Sequence, residues 1–231
     1  MDVNADFTKR ALVHGDAIPW EPSPLPGVER RRLDRVAGEN ERVTTIVRYA
    51  PGSRFSAHVH GGGEEFVVLE GVFEDDYGAW PAGAYVRNPP GSRHAPGSSG
   101  GCTILVKLWQ FDPDDRAFVH AHLGRLGAVP ERGRPGVAVS PLYRDAREDV
   151  RVERWDAHAR VAVAADGGAE LFVLDGGLEE GGDALRRHSW LRVPPGGAIE
   201  ATAGADGARV WIKTGHLRTP DAPPASPRDG A

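Results

Sequence analysis

His58-Val-His60, the glycines Gly61 to Gly63 and then Glu64 set two imidazoles and a carboxylate at a spacing suited to one metal ion. Residues two apart on a strand project to the same face, so His58 and His60 converge while Val59 points away. The glycines permit positive φ angles and close backbone approach, so the chain turns back and swings Glu64 toward both rings. Glu65 is a rival carboxylate, but alternation along the strand favours Glu64 inward, with Phe66 and Val68 beside it as an apolar wall. The opposite face then carries Val67 and Leu69 and is expected to pack on another barrel or subunit, a homodimer included. A fourth ligand must come from elsewhere. Neutral nitrogen and anionic oxygen donors take one divalent transition metal, Fe(II) or Zn(II) first, with Mn(II), Ni(II) and Cu(II) also admissible.

The elements that hold these residues read as short strands. Runs rich in β-branched and aromatic residues occupy Val43 to Tyr49, Glu65 to Phe73, Tyr85 to Asn88 and Thr103 to Phe111, separated by Pro51-Gly52 and Pro89-Pro-Gly91 turns. With 30 glycines and 19 prolines spread along 231 residues, an all-β fold leads.

The pattern recurs. Glu65-Phe-Val-Val-Leu-Glu-Gly71 corresponds to Glu170-Leu-Phe-Val-Leu-Asp-Gly176, and Val86-Arg-Asn-Pro-Pro-Gly91 to Leu191-Arg-Val-Pro-Pro-Gly196. With one residue inserted, Val106-Lys107 meets Ile212-Lys213. Three blocks in order argue for an internal duplication. At matching positions His58 becomes Val163, His60 becomes Ala165 and Glu64 becomes Ala169. The second copy keeps the turns and strands that a fold requires and loses what a metal requires, so it reads as a scaffold.

The first copy resembles the cupin superfamily. Gly52 to Gly71 matches the first cupin motif throughout, and Gly83 to His94 matches the second, with Ser98 standing where that motif usually ends in Asn. Cupins are jelly-roll barrels, so the resemblance implies a double-stranded β-helix in two tandem barrels. It also implies that His58, His60, Glu64 and His94 are the four metal ligands. The partner of His94 in the second copy is Ile199. Within the superfamily, the run from Trp20 to Lys107 looks most like the cupin of ChrR-type anti-sigma factors. Their separate zinc domain has no counterpart before Cys102, so sigma-factor binding is not expected. The organisation is then an N-terminal arm over 1–19, a metal-binding cupin over 20–125, a ligand-free cupin over 126–217 and a disordered tail over 218–231.

Composition narrows the partners. A net charge of -5 without a clustered basic stripe argues against a nucleic-acid surface. No apolar run approaches the roughly 20 residues of a membrane helix, and the first ten residues lack a secretory core, so the expected location is cytoplasmic. A single cysteine, Cys102, allows no internal disulfide and suits a reducing compartment. The bland reading of Cys102 is a small buried hydrophobe; the sharper one is a redox-sensitive thiol near the metal. His120-Ala-His122 lacks a following carboxylate and reads as a solvated segment. Arg54 and Glu65 are candidates to support the ligands, and Trp80, Tyr85 and Trp109 to line a cavity or fill the core. The expected function is a metal-dependent enzyme of the iron dioxygenase type acting on a small oxygenated or carbonyl-bearing molecule. The alternative is a zinc-binding sensor or ligand-binding regulator without catalysis.

Overall fold

A computed structural model describes residues 1–218, so the tail expected over 218–231 lies outside the described residues apart from Arg218. The chain is all-β. Among the described residues the single helical element is the 3-10 turn Gly15–Ala17, every strand pairing is antiparallel, and no helix is long and apolar enough to cross a membrane.

The chain divides into two compact units. Among the described residues, Met1–Ala5 and Pro19–Gly124 form the first; Asp6–Ile18 and 125–218 form the second. The N-terminal arm is therefore shared, and its strand Ala11–His14 pairs with Ser189–Val193 in the second unit.

In the first unit a ten-stranded sheet runs from Val119–His122 through Ala84–Asn88, Glu64–Asp75, Cys102–Leu108, Arg42–Tyr49 and Val28–Val36 to Glu21–Pro22. The ladder is open between its two edge strands. Its central strands alternate strictly. Phe66, Val68, Val86, Ile104, Val106 and Val47 point inward and form the core with Phe73 and Val28. The Glu64–Asp75 strand bends at Gly71, where φ is +71° and an added Cβ would lie 2.1 Å from the Gly101 carbonyl oxygen. Only glycine tolerates both conditions. The second unit repeats the device at Gly176, with φ +68° and the Gly207 oxygen 2.3 Å from a built Cβ.

The register of the ladders bears out the duplication. Glu65 pairs with Lys107 and Phe66 with Val106, as Glu170 pairs with Lys213 and Leu171 with Ile212. The second unit's nine-stranded sheet runs from Ala11–His14 through Ser189–Val193, Ala169–Glu180, Gly197–Thr214, Asp149–Trp155 and Val137–Arg144 to Val129–Pro130.

The outer face of the central strands carries more than the apolar side chains Val67 and Leu69. It holds a buried polar network. Tyr85 Oη donates to Glu65 Oε1 at 2.6 Å, Lys107 Nζ donates to Thr44 Oγ1 at 2.8 Å, and Arg87 pairs with Asp115 at 2.5 Å over the Phe111 ring. Charged groups this deep persist because each is paired or hydrogen-bonded. His120 and His122 sit on the edge strand of the same sheet, with the His120 ring tilted against Trp80 at 4.6 Å between ring centroids.

Candidate metal centre

Two short strands build the site. Ser92–His94 pairs with His58–His60 in a two-stranded ladder that sets His94 opposite His58 and Ser92 opposite His60. All four side chains therefore share one face. The ring nitrogens of His58, His60 and His94 lie within 4.8 Å of one another, and His60 Nε2 approaches His94 Nε2 to 2.9 Å. Glu64 Oε2 is 3.5 Å from Nε2 of each of these two rings. Metal–ligand bonds of about 2.1 Å put neighbouring donors about 3.0 Å apart in an octahedron and about 3.4 Å apart in a tetrahedron. The His60, His94 and Glu64 atoms have the spacing of such an edge-sharing set, and the donor types fit a borderline divalent ion. His60, Glu64 and His94 are buried, whereas His58 is exposed at the mouth.

The Gly61 to Gly63 turn has a second role that spacing alone did not disclose. A Cβ at Gly62 would lie 2.3 Å from the Trp109 indole, and one at Gly63 2.5 Å from the Phe111 ring. The turn is bare so that these two aromatics can lie on it. Trp109 is held at φ +59°, a left-handed conformation that costs a residue with a Cβ about 1 kcal/mol. That kink ends the strand at Leu108, short of the Phe111 expected from sequence.

Supporting residues surround the ligands. His94 Nδ1 meets Asp75 Oδ2 at 3.0 Å, the carboxylate–histidine arrangement that fixes which ring nitrogen faces a metal. Asp75 is itself fixed, since its Oδ1 accepts from the backbone N–H groups of Tyr77 and Gly78 and from Trp80 Nε1. Burial opposes ionisation of Asp75, but the bonds from His94, Trp80 and Tyr77 outweigh it and hold the carboxyl below its usual range. His94 is likewise opposed by burial, yet Asp75 and Glu64 keep its pKa raised. Burial dominates at His60 and lowers its pKa, which favours the neutral, metal-binding ring. Asn88 Nδ2 donates to Glu64 Oε2 at 3.3 Å. Ser92 Oγ is buried on the ligand face with no hydrogen-bond partner, a polar atom left over for whatever occupies the site.

Of two expected supporting residues, neither bonds to a candidate ligand in any contact described, although Arg54 lines the cavity. Glu65 alternates to the outer face with Tyr85, and Arg54 turns to Glu74 and Ser99. Of the three candidate aromatics, Trp109 lines the cavity, Trp80 braces Asp75 and Tyr85 belongs to the outer network. Cys102 is buried, and desolvation pushes its thiol up to about 11, which suits a small core residue and not a reactive thiolate.

The ligand face opens on a cavity of about 660 Å³ within the first unit. Its walls are the inward side chains Val28, Val43, Val47, Tyr49, Ile104, Val106 and Leu108, closed by Phe55 and Trp109. The corresponding space in the second unit is filled. Val163 faces Ile199 in the register by which His58 faces His94, and both pack with Ala165, Ala169, Leu171 and Val193 in one apolar cluster.

Antiparallel jelly-roll sheets with a His-X-His, Glu and His cluster inside one of them are similar to the cupin arrangement. More narrowly, residues 8–112 match the family described as the ChrR cupin-like domain. Among solved structures, a candidate dioxygenase from Nostoc punctiforme is similar over 96% of this chain and 88% of its own, with a TM-score of 0.76 at 14% identity. The Escherichia coli pirin YhhW, solved in complex with nickel(II), is similar over 94% of this chain and all of its own, with a TM-score of 0.62 at 17% identity. An oxalate decarboxylase follows with a TM-score of 0.61 at 10% identity, over 89% of this chain and 77% of its own. At these identities the likeness establishes the fold. No match was found among curated protein sequences.

Proposed function

We propose that the chain is a metal-dependent cupin enzyme, a dioxygenase-type oxidoreductase acting on a small oxygenated or carbonyl-containing molecule. The observation that carries this reading is the meeting of His58, His60, Glu64 and His94 with a cavity in the first unit whose wall joins a valine and leucine surface to a charged rim. A divalent metal held by these four would supply Lewis-acid binding of substrate oxygen and, as iron, activation of dioxygen. Four protein ligands leave positions free on a six-coordinate Fe(II) and none on a tetrahedral Zn(II), so coordination number separates catalysis from a closed site. The chain itself contributes the rest. Asp75 and Asn88 hold His94 and Glu64 in place, the valine and leucine walls exclude water, and Ser92 Oγ offers a hydrogen bond beside His60. A sensor built on Cys102 has less support, because that thiol is buried and protonated.

The test is elemental analysis of protein purified without added metal, followed by oxygen-uptake measurements on Fe(II)-loaded protein with a panel of small carbonyl compounds and phenols. Iron-dependent uptake that disappears in His60→Ala is the expected result. Stoichiometric zinc and no uptake from any member of the panel would reverse the reading in favour of a regulatory site.

A further inference from the structure

The Val28–Val36 strand contributes Val28, Arg30 and Arg32 to the cavity wall. Three of the four charges flanking Arg30 on that wall are already matched. Arg32 pairs with Glu21, Glu41 is held by two bonds from Arg35 at 2.5 and 3.0 Å, and Arg54 reaches Glu74. The fourth, Glu39, is exposed at the rim. The Arg30 side chain is half-buried and has no hydrogen bond or ion pair with any described residue. It stands in register with Val47 on one side, where the row continues through the apolar Ile104 to Val68, and with Glu21 on the other, whose carboxylate is taken by Arg32. Burial, reinforced by Arg32 and Arg35 and only partly offset by Glu41 and Tyr49, lowers its pKa from the ordinary arginine value. A guanidinium has five N–H donors in a rigid fork and remains charged throughout. Stripping it of water without giving it a partner costs free energy, which a bound anion would return.

We propose that Arg30 anchors the anionic group of the cavity's ligand, so that the site takes a small carboxylic acid, its carboxylate on Arg30 and its remaining oxygens toward the His58, His60 and His94 end. The size fits, since pockets of roughly 300–1,000 Å³ enclose small organic ligands. The inference deepens the enzymatic reading and rests on it for the ligand's orientation. The anchoring itself involves no metal.

The experiment exploits that independence. Benzoate and its neutral isostere benzamide are titrated calorimetrically into the full-length protein after chelator dialysis, and again after loading with Zn(II). Metal-free wild type is expected to bind benzoate at least about tenfold more tightly than benzamide, the scale of one charge-assisted hydrogen-bonded pair. Arg30→Gln should erase that preference while leaving benzamide affinity unchanged, and Arg30→Lys should retain part of it. Equal affinities in metal-free wild type, or an undiminished benzoate preference in folded Arg30→Gln, would overturn the proposal. Should Arg30→Gln not fold, the Arg30→Lys ratio decides, and a value equal to wild type counts against the fork. Full metal uptake retained in His58→Ala alongside an intact benzoate preference would be a failure of the metal reading alone, whereas lost uptake with no benzoate preference in wild type would be a failure of this one alone.

Discussion

The two units are written on one framework and differ by the side of the sheet on which a residue falls. On the outer face they agree. Glu65, Tyr85, Arg87 and Lys107 have counterparts in Glu170, Trp190, Arg192 and Lys213, and the bond from Tyr85 to Glu65 is replaced by one from Trp190 Nε1 to Glu170 at 2.9 Å. On the inner face they part. His58, His60, Glu64, Asn88 and His94 give way to Val163, Ala165, Ala169, Val193 and Ile199, all buried in a continuous core. One unit is therefore hollow and carries the candidate ligands, and the other is filled and lacks them. The contrast teaches that the polar network belongs to the fold, because it survives where the site has gone, and that the imidazoles belong to the site.

The hardest test of that contrast is removal of single ligands. His60→Ala or Glu64→Ala in the first unit should reduce metal content from one ion per chain to a small residue while the protein still folds. Mass-spectrometric metal analysis checks this, and two ions per wild-type chain would break the contrast outright. Next in size is the difference between filled and hollow interiors. Leu171→Ala in the second unit should destabilise by about 2–5 kcal/mol, since it opens a void in packed surroundings. Val106→Ala, which only widens an existing cavity, should cost nearer to the roughly 0.8 kcal/mol of each lost methylene. Urea denaturation of the two variants provides the comparison.

A smaller effect is expected at Asp75. Replacing it with Asn should weaken metal affinity about 10–100-fold by releasing His94, while Glu180→Gln at the corresponding place leaves affinity unchanged. Competition with a chromogenic chelator measures both. Last comes acid sensitivity in the second unit. Burial opposes the Glu153 carboxylate, but Arg134 and Arg151 overcome this and lower its pKa from the ordinary 4.5. A depressed carboxyl stabilises the native state fully above its unfolded value, and that contribution fades as pH falls through the folded one. Between about pH 5 and 3 the wild type should therefore lose stability more steeply than Glu153→Gln. Thermal melts across that interval would show parallel curves if Glu153 contributes nothing.

Much of the candidate metal centre was legible because its candidate ligands are crowded into two short, spaced motifs whose glycines and prolines dictate the turns. The strand order was less so, and the support shell was not. Asp75 lies between the motifs, and nothing in its spacing marks it; it reaches His94 because the long Glu64–Asp75 strand bends at Gly71 and carries its end back over the site. Asn88 and Ser92 were inside the motif, Asn88 as the end of a strand, but nothing in the motif gave either a role at the site. The orientation of Arg30 was equally hidden, for alternation predicts two faces and only the tertiary fold says which encloses a cavity. Glu65 failed as a supporting residue for the complementary reason, one step of alternation having sent it outward. The pairing of Ala11–His14 with the second unit is non-local, and four residues carry no readable period.

Trp109 lies flat on Gly61 and Gly62 and forms part of the cavity wall, whereas the corresponding left-handed position of the second unit is occupied by Gly215, at φ +91°. This asymmetry provides an optical probe at the site. Trp155, Trp190 and Trp211 are sealed in the second unit and contribute a steady emission background. A change in indole fluorescence on adding a metal or an acid therefore originates in the first unit, and its loss in Trp109→Phe would assign the signal to a single ring.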